Sequence, residues 1–293
     1  MIKRLAVIMF ALLTASAALA DFSGAWTASL DEKEPGRIYF SLTRGRMNQT
    51  GTTMRISYFA GLSDEQIHAT SQTPVNFRLQ REAGTVTFEG IFKNGNGAGQ
   101  FNFAANRNFE NALTSMGLKL DRDDRTDEQL FAFTLFDVST DFIRTMRAEG
   151  FDEDLDTYMS MRIFNVTPDY IHEMRDLGYK KLDADDLVAT RIHKVTPEYI
   201  RGMRAAGFNL SLDDYMAFRI HKVTLEFINE LATLGYRNVD NDDLVAMRIH
   251  KVTPEFIRDL KARGYSHVPI EKMIEMRIAG VDGRFLDAMN KKQ

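Results

Sequence analysis

The chain has 293 residues, with 37 Lys plus Arg against 41 Asp plus Glu and no cysteine. A formal charge of −4 argues against a general nucleic-acid binder, which neutralises phosphates with clustered Lys and Arg. The missing cysteines exclude a disulfide framework and a thiol nucleophile, and 44% hydrophobic with 27% charged residues is the composition of a folded chain.

Lys3 and Arg4, the apolar run Leu5 to Leu13 and Ala18-Leu19-Ala20 follow the order of a secretory signal peptide over residues 1–20, with cleavage after Ala20. Cleavage leaves 35 Lys plus Arg against 41 Asp plus Glu, a formal charge of −6. No later run approaches the roughly 20 apolar residues of a membrane span. The expected location is therefore periplasmic or secreted.

Over residues 21–105 the apolar pattern has period two. Val86, Phe88, Gly90 and Phe92 alternate with Thr87, Glu89 and Ile91, and Phe101 and Phe103 flank Asn102. Asn94-Gly95-Asn96-Gly97 between them is a hairpin turn able to take positive φ. Similar alternation in Ile38 to Leu42, Arg55 to Phe59 and Val75 to Leu79 predicts a small antiparallel β domain. Ser63 and Gln66 predict one capped helix inside it.

Residues 106–293 repeat themselves. Val138, Val166, Val195, Val223, Val252 and Val281 follow one another at spacings of 28, 29, 28, 29 and 29, and Gly150, Gly178, Gly207, Gly235 and Gly264 keep the same step. In the clearest unit Thr253 is an N-cap, Pro254 occupies N1, Glu255 faces the positive helix end, and Val252 and Ile257 form a staple. Gly264 ends that helix, with Tyr265 packing back. A second helix opens at Asp183 with Asp186, Ser211 with Asp214, and Asp240 with Asp243, and runs through Met-Arg-Ile-His-Lys as in Met247 to Lys251.

Helices this short need neighbouring units to bury their Phe, Tyr, Ile, Leu and Met positions. The predicted fold is α+β in two domains, a small antiparallel β domain followed by an α-solenoid of 28–29-residue helix pairs. Residues 106–133 read as a degenerate first unit, Pro269 replaces the last second-helix cap, and a terminal half unit starts at Val281.

His193, His221 and His250 fall at one place in successive units. One identical group per unit makes a ladder with rungs about 10 Å apart, the spacing of packed helices, which is too wide for a shared metal ion. Arg191, Arg219 and Arg248, with Arg162 and Arg277, form a second ladder flanked by Lys194, Lys222 and Lys251. The arginines are expected to pair with Asp186, Asp214, Asp243, Glu198 or Glu255, the alternative being a basic stripe for an acidic ligand. Arg191, His193, Arg219, His221, Arg248 and His250 are the candidate interaction residues. Asp121 to Glu128 reads as a solvated connector rather than a calcium loop, which needs alternating ligands and a terminal Glu.

No zinc-protease, nucleophile-elbow or phosphate-loop motif is present, so no catalytic residue, metal or cofactor is predicted. Trp26, Tyr39, Tyr58 and Phe59 are candidates for a ligand groove in the β domain, with core packing as the plainer assignment.

The units Val-Thr-Pro-Glu-[Tyr/Phe]-Ile with Met-Arg-Ile-His resemble helical repeats of a group of exported bacterial proteins, similar to those appended to some membrane metallopeptidases of the beta-lactam-sensor type. Arg81-Glu82-Ala83-Gly84-Thr85 and Phe88-Glu89-Gly90 resemble the β module that precedes such repeats. The peptidase's zinc motif is absent, so the resemblance implies architecture and no catalytic residue. Together these features predict a non-catalytic scaffold with a protein partner, in cell-envelope sensing or assembly. The alternative is an envelope glycan binder or hydrolase working through the β domain.

Overall fold

The computed structural model describes residues 22–31, 34–45, 48–121, 125–283 and 285. The proposed signal segment and most of the half unit from Val281 lie outside these residues. The chain is mixed α+β: seven strands, then helices. The strands are β1 (Ser23–Leu30), β2 (Arg37–Arg44), β3 (Asn48–Arg55), β4 (Phe59–Ala60), β5 (Thr73–Arg81), β6 (Gly84–Lys93) and β7 (Asn96–Ala105). They form one antiparallel sheet in the order β3-β2-β1-β7-β6-β5-β4.

The period-two pattern places Phe77, Leu79, Val86, Phe88, Phe92, Phe101 and Phe103 in the core. Trp26 sits among Phe40, Phe77, Phe88 and Phe92 at ring distances of 5.5 to 6.1 Å. Its indole N–H donates to the carbonyls of Glu89 and Gln100 at 3.2 and 3.0 Å, so burial leaves no unpaired donor. The ring approaches the backbone closely enough that a Cβ at Gly90 or Gly97 would meet it at 2.8 Å. The β6–β7 turn has Asn94 and Gly95 at φ 49° and 77°, as its sequence requires.

One local expectation changes. The stretch Arg55 to Phe59 is not one continuous strand: Arg55 ends β3, and a 3₁₀ turn (Ile56–Tyr58) leads into β4. Ile56 and Phe59, three residues apart, are both buried while Ser57 and Tyr58 are exposed, which one helical turn achieves and an extended chain does not. The capping box of Ser63 and Gln66 forms as expected and starts α1 (Asp64–His68).

After the sheet come α2 (Arg107–Ser115), α3 (Thr126–Phe136) and α4 (Thr140–Ala148). The end of the expected connector is therefore the first turn of α3, with Thr126 buried. Phe131 of α3 stacks on Phe101 at 5.4 Å and also meets Phe22 and Phe103. The compact unit that holds the sheet accordingly runs on to Arg144, and a second compact unit begins at Thr145.

The second unit contains α5 (Leu155–Ile163), α6 (Pro168–Asp176), α7 (Ala184–Ile192), α8 (Pro197–Ala205), α9 (Leu212–His221), α10 (Leu225–Thr233), α11 (Asn241–Ile249), α12 (Pro254–Ala262) and α13 (Ile270–Ile278). Even-numbered helices begin at Thr167, Thr196, Thr224 and Thr253, whose hydroxyls accept from the N–H three residues on. They end in Schellman turns: Gly264 has φ 88°, its N–H bonds Lys261 and that of Tyr265 bonds Leu260. Asp183 and Ser211 cap odd-numbered helices as expected. Asp240 is at the N-cap position of α11 without a side-chain cap bond, a departure from the expected box. Among the odd-numbered helices α5 packs on α7, α7 on α9, α9 on α11 and α11 on α13.

Candidate functional site

The first departure from expectation concerns isoleucine. Ile171, Ile200 and Ile257 of the even-numbered helices are buried, as repeat packing demands. The isoleucines that follow the ladder arginines are not: Ile192, Ile220 and Ile249 are 46%, 50% and 50% exposed, and Ile163 and Ile278 hold the same place at the ends of the row. Each lies in the last turn of an odd-numbered helix, so an apolar side chain recurs at the surface once per unit.

The next two residues complete the pattern. His193 and His250 are C-caps and His221 is the last residue of its helix, all half-buried. None of their rings has a hydrogen-bond partner among the described residues. Lys194, Lys222 and Lys251 do not continue the helix as expected. They hold the left-handed turn at φ 57°, 58° and 57°, a conformation that costs an L residue about 1–2 kcal/mol and that glycine takes freely. Gly280 occupies this place in the last unit. The three lysines are exposed and make no ion pair among the described residues. A strained conformation retained at a charged residue in three successive units points to use of the side chain rather than to packing.

The arginine ladder is built differently from expectation. Arg191, Arg219 and Arg248 do not pair with Asp186, Asp214, Asp243, Glu198 or Glu255. Each guanidinium lies over an aromatic ring of its own unit: Arg191 on Tyr170 at 4.9 Å, Arg219 on Tyr199 at 4.8 Å, Arg248 on Phe227 at 4.9 Å. Arg277 repeats this on Phe256 at 5.0 Å. Each of the first three then donates through Nε to a carbonyl at the C-terminus of the preceding odd-numbered helix, Phe164, His193 and His221, at 2.9, 3.2 and 3.1 Å. Those carbonyls lack intrahelical partners, and a planar guanidinium can stack and donate at once. The ladder is thus a tie between units, and the charge left free beside it belongs to the lysines.

Even-numbered helices are tied in a second row. Arg201 pairs with Glu173 of the preceding unit at 3.1 Å and Arg258 with Glu230 at 2.9 Å. Three residues further on, Arg204 donates to the Leu177 carbonyl at 2.8 Å and Lys261 to that of Leu234 at 2.6 Å. Arg201 and Arg258 are therefore part of the joints. Between α8 and α10 both ties are missing, because Gly202, Asn229 and Ala232 stand where the other units carry an acid and two cations.

Among the described residues no group of three or more His, Cys, Asp or Glu could hold a metal ion. Burial, then the neighbouring Asp183, raises Asp186 above the usual carboxylate range, and burial, then Asp240, does the same for Asp243. Both lie in the first turns of helices. In the sheet, Trp26 and Phe59 are core while Tyr39 and Tyr58 are 43% and 45% exposed, Tyr58 lying under Arg81 at 4.6 Å. The four expected groove aromatics are thereby split. No described helix is long and apolar enough to cross a membrane. No family model matches the chain, and no curated protein or solved structure shows a significant match.

Proposed function

We propose that this chain is a non-catalytic binding scaffold, a two-domain protein whose helical repeats form an α-solenoid that engages a protein partner. The observation that carries this is the Ile-His-Lys row at residues 192–194, 220–222 and 249–251: exposed apolar side chains beside unpaired cations, repeated once per unit. An apolar side chain left in water at one fixed place of each repeat is the feature expected of a docking face. Rungs at the roughly 8–10 Å spacing of packed helices suit a partner running along the row, with carboxylates opposite the lysines. The signal-like start, with its expected cleavage after Ala20, supports an encounter in the periplasm or outside the cell, in envelope sensing or assembly. The resemblance to repeats of exported bacterial proteins supports the same reading.

The test is capture from the envelope fraction on the mature chain from Asp21 to Gln293, against a variant carrying Lys194→Gly, Lys222→Gly and Lys251→Gly. Glycine relieves the left-handed strain, so the variant gains about 1 kcal/mol of stability per site while losing the charges. A partner held by the native chain and lost by the more stable variant supports the scaffold. Capture that ignores the substitution, or no capture, removes the row from the proposal and the scaffold with it.

A further inference from the structure

The α8–α10 joint differs from the other repeat joints in more than its ties. A Cβ built on Gly202 meets no atom within 4 Å, whereas Glu173, Glu230 and Asp259 fill that place in α6, α10 and α12 and form ion pairs there. Leu225 replaces the N1 proline that opens α6, α8 and α12. Beside these changes lies a hollow of about 350 Å³, walled by Met203, Phe218, Val223 and Leu225, with Tyr199 and Lys222 in its lining. That volume is at the small end of ligand pockets, which span roughly 300–1,000 Å³.

The tyrosine is the informative residue. In the preceding unit the Tyr170 hydroxyl lies 2.8 Å from the Thr190 hydroxyl and 3.2 Å from the Val195 carbonyl, so its burial is satisfied. In the next unit the place of Thr190 is taken by Phe218 of α9, and the hydroxyl of Tyr199 in α8 is buried with no hydrogen-bond partner among the described residues. The next two units put Phe227 and Phe256 at the same position, so the repeat packs without any hydroxyl there. A buried hydroxyl that neither packing nor the protein's own acceptors require is an unmet hydrogen-bond donor, and it belongs to a residue that lines the hollow.

Three charged residues line the hollow, Arg219, Lys222 and Glu226. Arg219 lies over the Tyr199 ring and is bonded to the His193 carbonyl, while Lys222 is free. Glu226, the acid of the lining, is engaged by its own backbone N–H and by Thr224.

We propose that this hollow is a binding site for a small apolar carboxylate, its hydrocarbon part on Met203, Phe218, Val223 and Leu225 and its carboxylate accepting from the Tyr199 hydroxyl and facing Lys222. The site shares only Lys222 with the docking row.

The experiment is a calorimetric titration of the mature chain with sodium octanoate and sodium phenylpropionate, with octanol as the uncharged control. Saturable binding of at least one acid is expected, with octanol at least tenfold weaker. Tyr199→Phe, which keeps the packing seen at Phe227 and Phe256, should weaken the acid about tenfold, and Lys222→Met by a similar factor. Gly202→Glu restores the acid of the neighbouring units and sets a negative charge at the mouth. It should abolish binding while raising the thermal midpoint, since glycine inside a helix is destabilising. No saturable binding of either acid, affinity unchanged by Tyr199→Phe and Gly202→Glu, or equal affinity for octanol would overturn the assignment.

Discussion

The joint between α6 and α8 and the joint between α8 and α10 are made from the same repeat and held in different ways. In the first, Glu173–Arg201 and the Arg204 bond to Leu177 tie the even-numbered helices, and Arg219 ties the odd-numbered ones through the His193 carbonyl. In the second only the odd-numbered row is tied, by Arg248 on the His221 carbonyl. The contrast teaches that apolar burial supplies the attraction between units while polar ties fix the joint, because exposed ion pairs contribute only about 0.2–1 kcal/mol each and buried side chains several times more.

The comparison breaks most visibly in the core. Met174 and Leu231 hold equivalent places in α6 and α10 and both are fully buried. Truncating either to Ala is expected to cost about 2–5 kcal/mol in a urea titration. Similar values mean that burial holds both joints alike; a cost under about 1 kcal/mol at Leu231 would show that the untied joint is loosely packed.

A smaller effect sharpens the contrast from the other side. The triple variant Gly202→Glu, Asn229→Arg, Ala232→Lys copies the ties of the neighbouring joints onto this one. Helix propensity, one ion pair and one charged hydrogen bond to the Ala206 carbonyl together predict a gain of about 2 kcal/mol, read as a raised denaturation midpoint. A loss of stability would mean that the joint's geometry differs too much to accept them.

The smallest effect concerns the helix starts, which both joints share. Glu198, Glu226 and Glu255 have pKa values lowered, first by their own backbone N–H groups and then by the Thr hydroxyls of the caps. A lowered folded pKa gives stabilisation that is present above the unfolded value, about 4.3, and is lost as pH falls through the folded one. Glu198→Gln should therefore lower the thermal midpoint slightly at pH 7 and leave it unchanged in strong acid. A difference that persists in acid would assign the effect to packing instead of charge.

Local chemistry was legible from residues alone. The Thr-Pro helix starts, the glycine stops and the Asn94-Gly95 turn depend on contacts within a few positions of chain, so the residue types that satisfy them announce themselves, and β5, β6 and β7 followed from alternation for the same reason. Strand β3, with Asn48, Gln49, Thr50, Gly51, Thr52 and Thr53, carries too little apolar signal to be seen, and α3 gave no sign that Phe131 lies on the sheet. In the candidate site, the repeat spacing placed the arginines, histidines and lysines once per unit, while the isoleucines, arginines and lysines all took roles other than those expected. Ile171 and Ile192 are the same residue type in helices of equal length, and only the packing of one unit on the next decides that the first is buried and the second faces water. The arginines were expected to seek carboxylates, but the nearest unmet acceptors in space are the carbonyls that end a helix 26 or 27 residues earlier. The sequence by itself determined where helices start, stop and repeat, because those are near-neighbour matters of caps and φ angles. Which face stays open, which charge stays free and where a hydroxyl lacks its partner were decided by the tertiary structure, because each depends on groups brought together from different units.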